Sequence, residues 1–309
     1  MNKKLLLLVI PALMLSGCTL LDLGGESGEL PPELGDYQPQ HTIASEDQGE
    51  EITAEEAEAT IEQIKSNLNS RNAKYATEEG RQELLNSVKY LQYDFRVKMD
   101  DYFAYMDVNY ARSEQYFHSG LNAEVPEMDL SKNPYKMDSV DILDGKETVD
   151  YHIYQQDEKV IGALKEDING HVEEDGVQKE IHKNAATYTY LDATFEQAAD
   201  SMILAGLRVI DSQGLAIIER LNTIPSATYR SSGEGALFFS ATMPITNMKV
   251  EGLFENDILV YAYTFIDATL LKDIEEIDYN DFDHMSTELY ARYDSAKIEY
   301  PDLSKYVQG

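Results

Sequence analysis

The chain has 309 residues, 43% of them apolar, which is enough for one sizeable core. Its 57 acidic residues against 25 basic ones give a formal charge of −32, which excludes nucleic acid as a partner, since phosphate binding needs clustered Lys and Arg. The same charge repels anionic lipid headgroups and favours cationic partners, a cationic protein among them, and a single cysteine leaves no intrachain disulfide to form.

The chain opens with Met1-Asn2-Lys3-Lys4, a short basic start. An apolar run from Leu5 to Leu15 follows, then small residues leading into Cys18. This is the layout of a signal peptide, and the run is short of the ~20 apolar residues that span a bilayer. The ending Leu15-Ser16-Gly17-Cys18 resembles the lipobox of bacterial lipoproteins. The resemblance implies cleavage of residues 1–17, lipidation of Cys18 and an extracytoplasmic protein held to the cell membrane through acyl chains.

Residues 18–51 read as a flexible acidic tether, rich in Gly and Pro and poor in large apolar residues after Leu23. A loop packed on the domain is the alternative. Residues 52–309 read as a single domain. Thr53 and Glu56 form a capping box, and Ala54, Ala57, Ile61, Ile64 and Leu68 make one apolar helical stripe. The period then changes to two: Leu91, Tyr93, Phe95, Val97 and Met99 alternate with polar residues, as in an antiparallel strand with one wet face. Asp100-Asp101 turns the chain into Tyr102–Tyr110, and Ala111–His118 follows as a third strand. Residues 119–147 read as a long connection.

Val149, Tyr151 and Ile153 begin a second group of strands, with a turn at Asp157-Glu158 and hairpin signals at Asn169-Gly170 and Asp175-Gly176. Thr187–Leu191 ends the group. Thr194 and Gln197 cap a second helix whose apolar face carries Phe195, Ala199, Met202, Ile203, Val209 and Ile210. Gly214 is expected to stop or kink it. The last group is again strands. Ile258–Ile266, apolar on both faces, belongs at the centre of a sheet. The element near 289–300 carries no clear period.

This order predicts an α+β fold: a curved, half-barrel-like antiparallel sheet with two main amphipathic helices packed on one face. A lipobox, a tether, a capped helix and hairpins around a second helix is similar to envelope carriers of the LolA and LppX kind. That resemblance implies acyl chains held between sheet and helices. The resemblance carries over no ligand-binding residue, but a curved sheet cannot touch straight helices everywhere, and a gap lined by Phe95, Met202 or Tyr261 is the expected apolar-ligand site.

No nucleophile elbow, phosphate loop, dinucleotide fingerprint or His-Glu-x-x-His motif occurs, so no catalytic residue and no cofactor is assigned. His171 and His182, diagonal across the hairpin turned by Asp175-Gly176, are the best metal candidate, with Glu173 or Glu180 as a third ligand, but a pair of exposed strand histidines is the better reading. The acidic run 273–283 lacks the glycine and closing glutamate of an EF-hand loop and reads as solvated. The sequence therefore assigns no metal site. Its expectation is a non-catalytic, membrane-anchored binding module, or alternatively an interaction protein with a packed core and an acidic face.

Overall fold

A computed structural model describes residues 32–126, 142–174, 176–221, 227–243, 248–270 and 282–309. The signal peptide, Cys18 and residues 271–281 of the acidic region lie outside them. The fold is α+β, a large open curved sheet with helices on one face. Its strands are β1 Glu50–Ile52, β2 Tyr90–Met99, β3 Tyr102–Ala111, β4 Tyr116–Val125, β5 Asp144–Gln156, β6 Lys159–Glu174, β7 Val177–Leu191, β8 Thr228–Ser231, β9 Leu237–Met243, β10 Met248–Glu255, β11 Ile258–Asp267, β12 His284–Arg292 and β13 Val307–Gln308. In space they run β1-β8-β9-β10-β11-β12-β2-β3-β4-β5-β6-β7-β13, antiparallel throughout except for β13 beside β7.

Three helices, α1 Ala54–Lys74, α2 Glu78–Ser87 and α3 Phe195–Leu221, cover the inner face. The α1 capping box forms as read from sequence, and Ala57, Ile61, Ile64 and Leu68 are its buried stripe. Helix α2, capped by Thr77, is a separate element that the sequence reading does not resolve. The Thr194–Gln197 box also forms, with Thr194 N donating to Gln197 Oε1 at 2.9 Å. On β2 the burial alternates along the whole strand, placing Leu91, Tyr93, Phe95, Val97 and Met99 against the helices. Strand β11 is buried on both faces, as its composition requires.

The third strand runs Tyr116–Val125 and the next begins at Asp144, so the expected 119–147 connection is shorter than read from sequence. Three further expectations are corrected. Helix α3 runs unbroken through Gly214, where a Cβ would lie only 3.2–3.4 Å from Leu259, Leu68 and Phe254. The glycine is there for close packing, not to end the helix. Asn169-Gly170 lies inside β6, because Gly170 faces Gly145 of β5 and any Cβ would strike the Asp144 carbonyl. At the other hairpin signal Glu174 pairs with Val177, so β6 and β7 meet there as expected, with Asp175 itself outside the described residues.

The third correction concerns the tether. Residues 34–48 are not free chain but lie on the outer face of the sheet. Tyr37 is buried against Phe265, and its carbonyl accepts from Tyr263 Oη at 2.8 Å. The backbone N–H groups of Gln40 and His41 donate to Glu288, and Arg96 donates to the carbonyls of Asp36 and Gln38. A buried tyrosine and these charge-assisted bonds offset the ordering entropy of the segment. The chain after β12 crosses the outer face as well. Residues 293–309 form a strap over β3–β7, seated by Ala296, Ile298 and Leu303 on a cluster of Ala111, Tyr116, Tyr154 and Ile161.

Candidate functional site

The outer face holds a polar cleft under the strap, about 740 Å³ in volume, walled by strands β2–β7 and roofed by strap residues 297–306. Its floor follows from strand register. One row runs Asp94, Asp107, Gly120, Asp150, Lys165 and Ala186 across five strand pairs, and the neighbouring row runs Gln92, Asn109, His118 and His152. These are the polar partners of the alternating apolar residues that face the helices, so one period of two builds both the core and the cleft.

At the centre, His118 of β4 and His152 of β5 stand opposite each other with ring centroids 4.5 Å apart. His118 Nε2 lies 2.6 Å from Asp150 Oδ1, and His152 Nε2 lies 3.2 Å from the same oxygen. His118 Nδ1 faces Asp107 Oδ2 at 3.1 Å, and Asn109 Nδ2 donates to that Asp107 oxygen at 3.0 Å. His152 Nδ1 is 3.3 Å from Tyr116 Oη, which in turn donates to the strap carbonyl of Glu299 at 2.8 Å. The Gly120 gap in the row gives Asp107 room, since a Cβ there would fall 2.4 Å from its carboxylate.

Burial opposes charge on His118, but the carboxylates of Asp107 and Asp150 outweigh it and raise its pKa to about 9. The two imidazoles hold the Asp150 carboxyl well below the usual carboxylate range. Burial pushes the Tyr116 hydroxyl up to about 12, so it remains a neutral donor. The cleft also carries Lys165, which has no ion pair among the described residues, while Lys297 and Lys305 of the strap are paired with Glu299 and Asp302. Tyr105, Tyr300 and Tyr306 add rings with polar tips. The arrangement can grip a small polar solute, and His118, Asp150 and His152 present three ligand atoms within 4.8 Å of one another.

The residues singled out from sequence fall elsewhere. Phe95 is buried in the inner core, and Met202 of α3 is half-buried against the same core. Tyr261 is corrected. It pairs with Tyr290, which pairs with Asp94, so it faces outward and packs with Tyr37 on the other side of the sheet. Phe95 pairs with Leu289, which pairs with Ala262, and faces inward. The three side chains therefore cannot line one gap. Along the middle of α3, Ala199, Ile203, Leu207 and Ile210 are fully buried, and Gly206 meets Tyr93 too closely for a Cβ at 2.9 Å. His171 and His182 stand in the predicted register, opposite Glu180 and Asn169, and each is exposed with its own acidic neighbour, Asp144 and Glu180.

Sequence reasoning passed over His118, Asp150 and His152. The available signal was their parity: Asp150 and His152 are the polar alternates of Val149, Tyr151 and Ile153. Their meeting with His118 depends on the β4–β5 register, which a long intervening connection leaves undefined. No protein-family model matches the chain, and no curated protein and no solved structure is detectably similar to it.

Proposed function

We propose that the protein is a lipid-anchored, extracytoplasmic binding protein whose ligand, a small polar solute, enters the outer-face cleft rather than the helix–sheet interior. The observation that carries this reading is the convergence of His118, Asp150, His152, Asp107 and Lys165 in a 740 Å³ concavity, a volume within the ~300–1,000 Å³ of ligand sites. The lipobox-like Leu15–Cys18 supports membrane anchoring. The acidic surface supports a domain that stands off an anionic membrane and depends on acyl chains for attachment. The close seating of α3 at Gly206 against Tyr93, and at Gly214 against Leu259, Leu68 and Phe254, weighs against acyl chains at those two points of the helix.

Native mass spectrometry of the protein extracted from its own membranes tests the reading. Wild type is expected to carry a non-covalent adduct. Ala186→Trp, which fills the cleft floor, should lose it, and Met202→Trp, which fills the inner side, should keep it. Loss in Met202→Trp alone would return the site to the helix–sheet interior, and a wild-type spectrum with no adduct would contradict the proposal.

A further inference from the structure

We infer that His118, Asp150 and His152 form a binding site for one divalent transition-metal ion of the zinc class. The inference rests on the cleft reading above and gives its ligand a chemical anchor. Three separate observations lead to it.

The first is geometric. His118 Nε2 and His152 Nε2 both aim at Asp150 Oδ1, at 2.6 and 3.2 Å. Zinc binds imidazole nitrogen and carboxylate oxygen at ~2.0–2.2 Å, which sets donors in a tetrahedral shell about 3.3 Å apart. Small side-chain rotations separate the present triangle to that spacing. All three ligands stand on adjacent strands fixed in register, so backbone movement is not needed.

The second is the outer shell. A metal-ligating histidine characteristically gives its other ring N–H to a carboxylate, carbonyl or similar acceptor. Here the free nitrogen of each ring is already engaged: His118 Nδ1 by Asp107, itself braced by Asn109, and His152 Nδ1 by Tyr116. Both rings are thus turned with Nε2 toward the common point. A simple imidazole–carboxylate pair requires only one such contact; two rings steered onto one oxygen require the bracing that Asp107 and Tyr116 supply.

The third is access. The triangle lies in the lining of the cleft, so an ion there keeps a coordination position open to the solute space, as in zinc sites with three protein ligands. Two imidazoles and one carboxylate favour zinc, copper or nickel over calcium and magnesium, which take oxygen shells. The acidic charge of the chain draws cations toward the site.

The test is calorimetric titration of ZnCl2 into the metal-stripped full chain in detergent. One saturable site per chain is expected, with affinity reduced at least 100-fold in His118→Ala and in His152→Ala. Loss of the outer brace in Asp107→Asn should weaken it 10–100-fold, while His171→Ala should leave it unchanged. Should a histidine variant fail to fold, the visible spectrum of Co(II) in the wild type decides instead: intense d–d bands of a tetrahedral N/O site are expected, and the weak bands of a hexaaqua-like ion would overturn the inference. Zinc binding that survives in both histidine variants, or none in the wild type, also overturns it. Failure of the metal is distinguishable from failure of the cleft. No zinc site together with an adduct lost in Ala186→Trp removes the metal alone, and an intact zinc site with an adduct kept in Ala186→Trp removes the cleft reading.

Discussion

Removing Asp211 should cost the protein about 3 kcal/mol of stability. Asp211 sits on α3 at the contact with α1 and is 2% exposed. Both of its oxygens face Arg71 Nε, at 3.1 and 3.2 Å, and Tyr75 Oη donates to it at 2.7 Å. A bond to a charged group contributes about 1.5–3 kcal/mol and a neutral one about 1. Breaking a buried pair from one side costs roughly 3–5 kcal/mol, because the surviving charge is left without a partner. The Arg71 side chain is 18% exposed, so water can reach it in part, which places Asp211→Ala at the low end of that range. Burial alone would disfavour the Arg71 charge, and Asp211 more than restores it. Equilibrium urea unfolding followed by two probes gives the number, and about 3 kcal/mol corresponds to a fall in Tm of roughly 6–12 °C. The double variant Arg71→Met/Asp211→Leu, which removes both charges, should recover most of the loss. A single-variant cost below about 1 kcal/mol, or a double variant as unstable as Asp211→Ala, would refute the account of this clamp.

Tyr37→Ala should cost about 2 kcal/mol, the scale of one buried aromatic side chain, and speed limited proteolysis before residue 50; unchanged cleavage would mean that the 34–48 segment is not held by this residue. Cys18→Ala should release the protein from membranes or leave it unprocessed, and fully processed variant still fractionating with membranes would count against lipidation. Burial and the neighbouring Glu196 raise the Asp200 carboxyl above its ordinary value despite Arg112. An acid with a raised folded pKa is penalised when charged, fully above that pKa and not at all below the unfolded value of about 3.9. Asp200→Asn should therefore raise Tm at pH 8 and lose that advantage as pH falls below 4, and an equal effect at both pH values would show that the charge is not the cause.

The parts of the fold legible in sequence are those set by local chemistry. The capping boxes at Thr53 and Thr194 and the alternation along β2 each depend on neighbours within a few residues, and each forms as read. Gly170 and Gly214 look like turn and stop signals, yet both serve close approach of distant chain, a tertiary demand that no local pattern records. The outer face is hidden in the sequence for a related reason. Tyr37 and the residues around it are too sparse in apolar character to announce a packed segment, and their anchors Glu288, Arg96 and Tyr263 are far along the chain. Placing Tyr261 beside Phe95 required the parity between β11 and β2, which passes through β12, and β12 lies in the stretch whose period was unclear. The His118–Asp150–His152 centre was hidden by the same kind of non-local register.

The central claim, that the ligand lies in the outer cleft, is tested most directly by a crystal structure of the protein purified from its native source without unfolding. The account predicts electron density under the 297–306 strap, against His118, Asp150 and His152. Density between α3 and the inner face beside Phe95 and Met202, with the cleft holding only bulk water, would contradict it.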